Sequence, residues 1–403
     1  MKKIELLAPA GDLLKLKIAV LYGADAVFIG GHRFSLRSRA SNFTIDDIRE
    51  GCLFAHEHNS KIHVTCNIVM HENDTNRLKE YLEELENAGV DAVIASSLTI
   101  LHAVRKYTSM EAHVSTQNST LNKNAVNFFS KRSNASRVVL GRELSLESIK
   151  EIIDNTDTEI EAFIHGGMCV SYSGRCVLSN NMSNRDANRG GCAHSCRWNY
   201  DLFLDDEKIN PENRHFNMGS KDLCGIRYIT KMIDMGVDSL KIEGRMKSIH
   251  YVASVVKTYR GIIDEYQKTG TILSYDYYNN QLKAAENRLT SRGFLPGMTT
   301  INEQLYDMRS EIPTKEFVGL VLDFDSTTMT AKVEERNHFS ATSELEILSP
   351  NMKPLQFKID QIINEKGETV DAARHAQEIV YIKTPVKLAK YDMLRLKKWH
   401  TKF

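Results

Sequence analysis

The sequence predicts an α/β fold: a TIM-type (βα)8-like barrel followed by a small all-β barrel domain. Three observations carry that expectation. From residue 4 to about 245, eight short β-branched runs alternate with helix-like segments, the count and length that an eight-unit barrel requires. A weak repeat, Gly23-Ala24-Asp25-Ala26-Val27, Gly89-Val90-Asp91-Ala92-Val93 and Gly236-Val237-Asp238-Ser239-Leu240, joins a helix end to a strand. Glycine there suits the left-handed position that stops a helix before a short turn. From about Pro313 onward the pattern changes to short strand-like runs separated by turns. The competing doubly wound sheet needs a Gly-rich nucleotide loop after its first strand, and the sequence has none.

Taken in order, the barrel strands are expected at Ile4–Ala8, Ala26–Gly30, Ile62–Ile68, Ala92–Ser96, Glu111–Gln117, Arg137–Leu140, Glu159–His165 and Ser239–Glu243. Thr44 with Asp47 reads as a capping box opening a helix. Leu78, Tyr81, Leu82 and Leu85 give Asp74–Ala88 a helical apolar face. A long helix over 249–269 closes the barrel, Tyr275–Leu289 reads as another, and Ser291–Gly297 breaks the pattern. The C-terminal strands are expected at Phe317–Phe324, Thr328–Glu334, Glu344–Leu348, Leu355–Ile363, Glu378–Lys383 and Met393–Lys397. The resulting division is a barrel over 1–270 with a Cys-rich insertion at about 166–200, a helical linker over 271–312, and a β-barrel domain over 313–403.

The 403 residues are 42% apolar and 26% charged, with zero formal net charge. That balance excludes polyanion binding by bulk charge but leaves room for a local basic surface. One candidate is Lys383–Phe403, which holds seven Lys or Arg against the single acid Asp392; a solvated face is the plainer reading. The apolar run at the N-terminus is broken by Glu5, Asp12, Lys15 and Lys17, unlike a secretory signal. No stretch has the apolar length of a membrane span. The expectation is a cytoplasmic protein with no membrane partner, whose cysteines are reduced thiols, metal ligands or catalytic groups.

Of the seven cysteines, Cys169, Cys176, Cys192 and Cys196 stand on one glycine-rich stretch at spacings x6, x15 and x3. Cys224 follows as an alternative fourth ligand, at the expected start of a helix whose buried face is Ile226, Ile229 and Ile233. Three readings compete. Cys192 and Cys196 make one zinc knuckle, but Cys169 and Cys176 are too widely spaced for the other. A 4Fe–4S cluster also takes four thiolates, tolerates wider spacing, and would be balanced by Arg175, Arg185, Arg189 and Arg197. A nucleophilic cysteine with His165 or His194 as base is the third.

The loop follows the seventh predicted strand, so it rises from the barrel face where active sites sit. Polar residues at the same level are His32, Arg33, Asn67, Ser115, Gln117, Arg142, Glu143, His165, Glu243 and Arg245. Among them His165, Glu243 and Asn67 are candidates for catalysis. Arg33, Arg142 and Arg245 together suit a small anionic ligand.

The run Glu161-Ala162-Phe163-Ile164-His165-Gly166-Gly167-Met168-Cys169, then Ser173-Gly174-Arg175-Cys176 and Ser179, resembles the signature of the collagenase-like peptidase family U thirty-two. Glu5-Leu6-Leu7-Ala8-Pro9-Ala10-Gly11, Ser220-Lys221-Asp222-Leu223 and Lys241-Ile242-Glu243-Gly244-Arg245-Met246-Lys247 match it too, as does the β-domain. Within the family the chain most resembles proteins needed for oxygen-independent 5-hydroxylation of the wobble uridine in tRNA. The resemblance implies a TIM-like barrel, a 4Fe–4S cluster on Cys169, Cys176, Cys192 and a fourth cysteine that varies between subgroups, and prephenate as the associated metabolite. It implies tRNA as a partner and allows a paralogous subunit of the same family. Prephenate carries two carboxylates, for which Arg33, Arg142 and Arg245 are suitable partners.

The family name also implies a peptidase, a hydrolase acting on proteins such as collagen. The residues argue against it: no HExxH and no GxSxG occur, and neighbouring thiols favour ligation of Cys169 over a Cys–His dyad. A non-catalytic iron–sulfur RNA-binding partner is a further alternative.

Overall fold

The computed structural model describes residues 3–36, 42–213, 215–285, 288–305 and 313–397. Eight parallel strands form the barrel: β1 Glu5–Pro9, β2 Ala26–Gly30, β3 Lys61–Cys66, β4 Ala92–Ala95, β5 Glu111–Val114, β6 Arg137–Val139, β7 Glu159–Gly166 and β8 Ser239–Ile242. Each pairs with the next, except that β7 skips the insertion to meet β8, and β8 closes the ring on β1 with Glu5 opposite Ser239. All eight predicted strands are present, with ends displaced by at most three residues, the largest at the fifth strand, which stops at Val114 instead of Gln117. Their near-continuous apolar runs explain this legibility, since a parallel strand covered on both faces must be apolar throughout.

The helices start where the local chemistry dictates. Thr44 and Asp47 form the reciprocal capping box that opens Ile45–Glu57. Ser248 caps the long helix Ile249–Thr269, which lies buried along much of its length beside β1. Two expectations needed correction. Cys224 does not begin a helix: it ends a short strand, Asp222–Cys224, that runs antiparallel to the end of β7 with Cys224 opposite His165. The second closing helix stops at Lys283 rather than Leu289.

The barrel interior is not wholly apolar. Glu161, fully buried, receives the Lys241 ammonium at 2.6 Å and stands 3.4 Å from Arg137, which also holds Glu159 at 2.8 Å. Burial opposes the Glu161 charge, but Lys241 and Arg137 outweigh it and keep the carboxyl ionised. Lys241 also lies over the Phe28 and Phe163 rings. These groups come from the early and middle positions of β6, β7 and β8, away from the mouth. They act as a charged plug.

The C-terminal unit is an antiparallel half-barrel running from Lys315–Asp325 to Met393–Lys397. The predicted strand Leu355–Ile363 divides into Leu355–Lys358 and Ile362–Asn364 at opposite sides of that sheet. Arg395, one of the cations in the basic C-terminal stretch, is completely buried rather than solvated. It binds Glu346 and reaches Ser254 at 3.5 Å and Gln281 at 3.2 Å on the barrel side. Tyr22 likewise donates to the Leu348 carbonyl at 2.9 Å. Arg395 is therefore an interdomain clasp and not an RNA contact; residues 398–403 of the same stretch lie outside the described residues.

Candidate functional site

The Cys-rich stretch leaves the end of β7 through Gly166, whose φ is +103°. A Cβ there would stand 2.1 Å from the Glu243 carbonyl, so only glycine lets β7 turn beside β8 at this point. The stretch contains one short helix, Leu178–Ser183, and two single turns, Ala187–Arg189 and Ser195–Arg197. With so little regular structure it is held by side chains. Asn188 donates to the Cys176 carbonyl at 2.9 Å, and Ala193 N–H donates to Ser179 Oγ at 3.0 Å.

Three ties lace the stretch to the barrel rim. Arg189 binds Asp74 at 3.1 Å and the Val69 carbonyl at 2.6 Å, beyond β3. Ser119, just after β5, donates to the Ser173 carbonyl at 2.6 Å. Gly174, at φ +73°, sits so close over the same turn that a Cβ would lie 2.3 Å from the Gln117 carbonyl. Arg197 donates to the Met168 carbonyl at 3.2 Å, joining the two ends of the stretch.

This lacing places the four thiols within electrostatic reach of one another. Cys169 and Cys192 are exposed, and Cys176 and Cys196 are half-buried. Although Cys169 is exposed as a residue, the protein packed around its sulfur raises its pKa, and neighbouring Cys176 and Cys192 add to the rise. Burial raises Cys196 as well, and it lies within electrostatic reach of Cys169, Cys192 and Cys176. All four predicted ligands therefore share one electrostatic neighbourhood. Cys224 is half-buried on its own strand beside His165. Among the described residues, no three His, Cys, Asp or Glu side chains are drawn together as a ready-made metal site. The donor chemistry nevertheless suits a thiophilic centre: soft sulfur ligands on a glycine-hinged stretch, next to guanidinium groups that would balance thiolates.

The balancing charges are partly those expected and partly new. Arg197 is close enough to Cys196 and Cys169 to feel both thiols. Arg189 is spent on Asp74 instead. Sequence reasoning missed the group that holds Arg197: Asp222, buried, gathers Arg197 at 3.7 Å, Lys247 at 3.4 Å and Arg288 at 3.5 Å. Three cations on one carboxylate leave a positive excess beside the thiols. No spacing rule links positions so far apart.

The mouth residues separate into those that converge and those that do not. Arg142 lies over the Phe163 ring at 3.6 Å and faces Glu243 at 3.9 Å. It also influences the Cys169 thiol, so it bridges the mouth and the Cys stretch. Arg245 is buried at the same face and donates to Ser35 at 3.2 Å and Thr65 at 3.3 Å. Its guanidinium occupies space that a Cβ on Gly30 would take. Arg33 is exposed on the turn after β2. Asn67, at the end of β3, accepts the Leu36 N–H at 3.3 Å. His165 is buried at the end of β7, opposite Cys224 on the paired strand. Its Nδ1 meets the Tyr259 hydroxyl at 3.1 Å on the long helix, and burial pushes its pKa down to about 4. Its ring is therefore uncharged at neutral pH.

Comparison with known proteins decides the family. The family profile described as Peptidase family U32 matches residues 11–305, and Peptidase family U32 C-terminal domain matches residues 313–395. The chain belongs to peptidase family U32. This U32 protein is 46% identical over 402 residues to the tRNA hydroxylation protein P1 of Bacillus subtilis, covering 98% of this chain and 95% of that one. It is 36% identical over 349 residues to an uncharacterized protease of Methanocaldococcus jannaschii, covering 83% and 84%. It is 32% identical over 437 residues to the tRNA hydroxylation protein P of Haemophilus influenzae, covering 95% and 94%. The U32 protein is thus linked at family level to tRNA hydroxylation proteins. No helix among its described residues is long and apolar enough to cross a membrane.

Proposed function

We propose that this U32 protein takes part in oxygen-independent 5-hydroxylation of the wobble uridine of tRNA, in the cytoplasm, with an iron–sulfur cluster and prephenate. The observation that carries the reading is the near-full-length similarity to a tRNA hydroxylation protein, in a chain whose thiol-bearing stretch is laced over the barrel mouth. Cys169, Cys176 and Cys192 would hold the cluster with Cys196 or Cys224 as the fourth ligand. Bound there, a 4Fe–4S cluster supplies either an electron-transfer centre or a Lewis acid to the hydroxyl donor.

The chain's own residues contribute position and charge. The Asp222 group and Arg142 oppose the negative charge of thiolates. Arg142 and Arg245, at the mouth, are the suitable partners for the two carboxylates of prephenate, with Arg33 at its edge. Glu243 holds Arg142 from the β8 side. A peptidase reading has less to stand on, because His165 is buried with its Nδ1 against the Tyr259 hydroxyl, away from solvent. A zinc centre on the same thiols is the alternative metal, and a paralogous subunit of the same family is a further candidate partner.

The direct test is nucleoside mass spectrometry of tRNA from a deletion strain lacking any redundant oxygen-dependent pathway. Wobble 5-hydroxyuridine derivatives should disappear and return with the wild-type gene; their persistence in the deletion strain would sink the assignment. For the metabolite, Arg142→Ala and Arg245→Ala should each weaken prephenate binding about tenfold or more by calorimetry, as expected for a lost charge-assisted hydrogen bond. Unchanged affinity in Arg33→Ala, Arg142→Ala and Arg245→Ala alike would remove prephenate from this mouth.

A further inference from the structure

One corner of the mouth holds polar atoms that have nothing to bond to. It is built from the turn after β5, Thr116 to Leu121, and the turn after β6, Leu140 to Glu143. The Gly141 N–H donates to the Thr120 carbonyl at 3.0 Å, and Thr116 Oγ1 donates to the Leu140 carbonyl at 3.1 Å, so the turns are fastened edge to edge. The Cys stretch roofs the same corner through the Ser119–Ser173 bond and the Gly174–Gln117 approach. Within it Asn118 Nδ2, Thr120 Oγ1 and Glu143 Oε2 are all buried without a hydrogen-bond partner. Buried polar atoms are almost always satisfied. Three orphans on two fastened turns mark a place where a partner from outside the chain, water or ligand, completes the hydrogen bonds.

The geometry at Gly141 says where the carboxylate goes. A Cβ at that position would lie 2.9 Å from Glu143 Oε2 and 2.5 Å from the Leu121 side chain. Glu143 thus folds back over Gly141 toward the turn that carries Asn118 and Thr120. Asn118 and Glu143 are half-buried as residues, whereas Thr120 is fully enclosed. Burial raises the Glu143 pKa, which its neighbour Arg142 only partly offsets. The orphaned set is one amide donor, one carboxyl oxygen and one hydroxyl that serves as either. That combination complements a lactam edge, an N–H next to a carbonyl oxygen. The amide donates to the carbonyl and the carboxylate accepts the N–H.

We propose that Asn118 and Glu143 form a base-reading corner that binds the N3–H and carbonyl edge of an unpaired uracil. This deepens the RNA-modification reading and rests on it. An unstacked base read on its Watson–Crick edge is the usual route to sequence-specific recognition of single-stranded RNA, and chemistry on a base requires that it leave the stack. The corner adjoins the thiol-bearing stretch, so a uracil held there lies at the site of the proposed reaction.

The test compares two anticodon stem-loop RNAs by fluorescence anisotropy, one with uridine at the wobble position and one with 3-methyluridine, which lacks the N3–H. The wild-type protein should bind the uridine RNA about tenfold or more tightly than the methylated RNA. Glu143→Leu and Asn118→Ala should each bind the two RNAs within about twofold of one another, while the thermal midpoint stays at the wild-type value. Glu143→Met, of similar length but with no strong acceptor, serves as the second variant if leucine fails to fold, and it should lose most of the discrimination. If the wild-type protein binds both RNAs alike, or Glu143→Met keeps the full preference, the corner holds only trapped water and the inference falls while RNA binding stands. If the wild-type protein binds neither RNA, the inference and the tRNA reading fall together.

Discussion

Cys176→Ala protein purified without oxygen is expected to be colourless, with iron below about one tenth of the wild-type content, which the proposed cluster sets at about four iron atoms per chain. Cys176 shows the coupling on which this rests: it influences both Cys169 and Cys196, and its carbonyl is gripped by Asn188. Losing its sulfur opens the ligand set without disturbing the backbone that shapes it. The same iron count on Cys196→Ser and Cys224→Ser identifies the fourth ligand. Cys196 has proximity in its favour, since it feels the other three thiols. Cys224 is carried on the strand that pairs with the end of β7, beneath the start of the stretch. A wild-type protein with one zinc and no visible absorbance would replace the cluster with zinc. Full iron retention in Cys176→Ala would end the four-cysteine reading.

The second large effect is on stability. Glu161→Ala is expected to cost about 3–5 kcal/mol, because it leaves the Lys241 ammonium buried with no carboxylate and strips Arg137 of one of its partners. Both cations are almost inaccessible to water, so solvent cannot take the place of the lost charge. The double variant Glu161→Leu with Lys241→Met should recover most of that loss, since a well-packed apolar pair often equals a buried ion pair. Urea denaturation of wild type, single and double variants measures both. A single variant within about 1 kcal/mol of wild type would mean that the plug is solvated and not a determinant of folding.

Much of the fold was readable because barrel strands are local signals. Ala26–Gly30 and Glu344–Leu348 were bounded correctly from composition alone, as runs of apolar residues between turns. The Thr44–Asp47 cap was readable for the same reason, since its partners are three residues apart. Misreadings arose where local pattern and tertiary setting disagree. Ile226, Ile229 and Ile233 do mark a helical face, yet the helix begins only after Cys224 has paired as a strand. The basic count of the C-terminal stretch suggested a solvated surface, but Arg395 points inward because Glu346 and Gln281 await it there.

The site divides along the same line. The residue types of a thiol-rich centre, and their place after the seventh strand, follow from the sequence because four cysteines and their glycines lie within one short stretch. Which mouth residues meet is set by barrel closure, which brings together strands separated by as many as 234 residues, as at Ser239 and Glu5. The Asp222 cation group, the Arg142 contact with Phe163 and Glu243, and the turning of His165 toward Tyr259 all depend on that closure and on the packing of the long helix. The Cys stretch opened the question of function through its spacing alone. The tertiary structure decided what surrounds it: a positive group on one side, and on the other a corner with unanswered hydrogen bonds. The physical reason is range, since strand, turn and cap signals act over a few residues, whereas electrostatic and steric complementarity act through space.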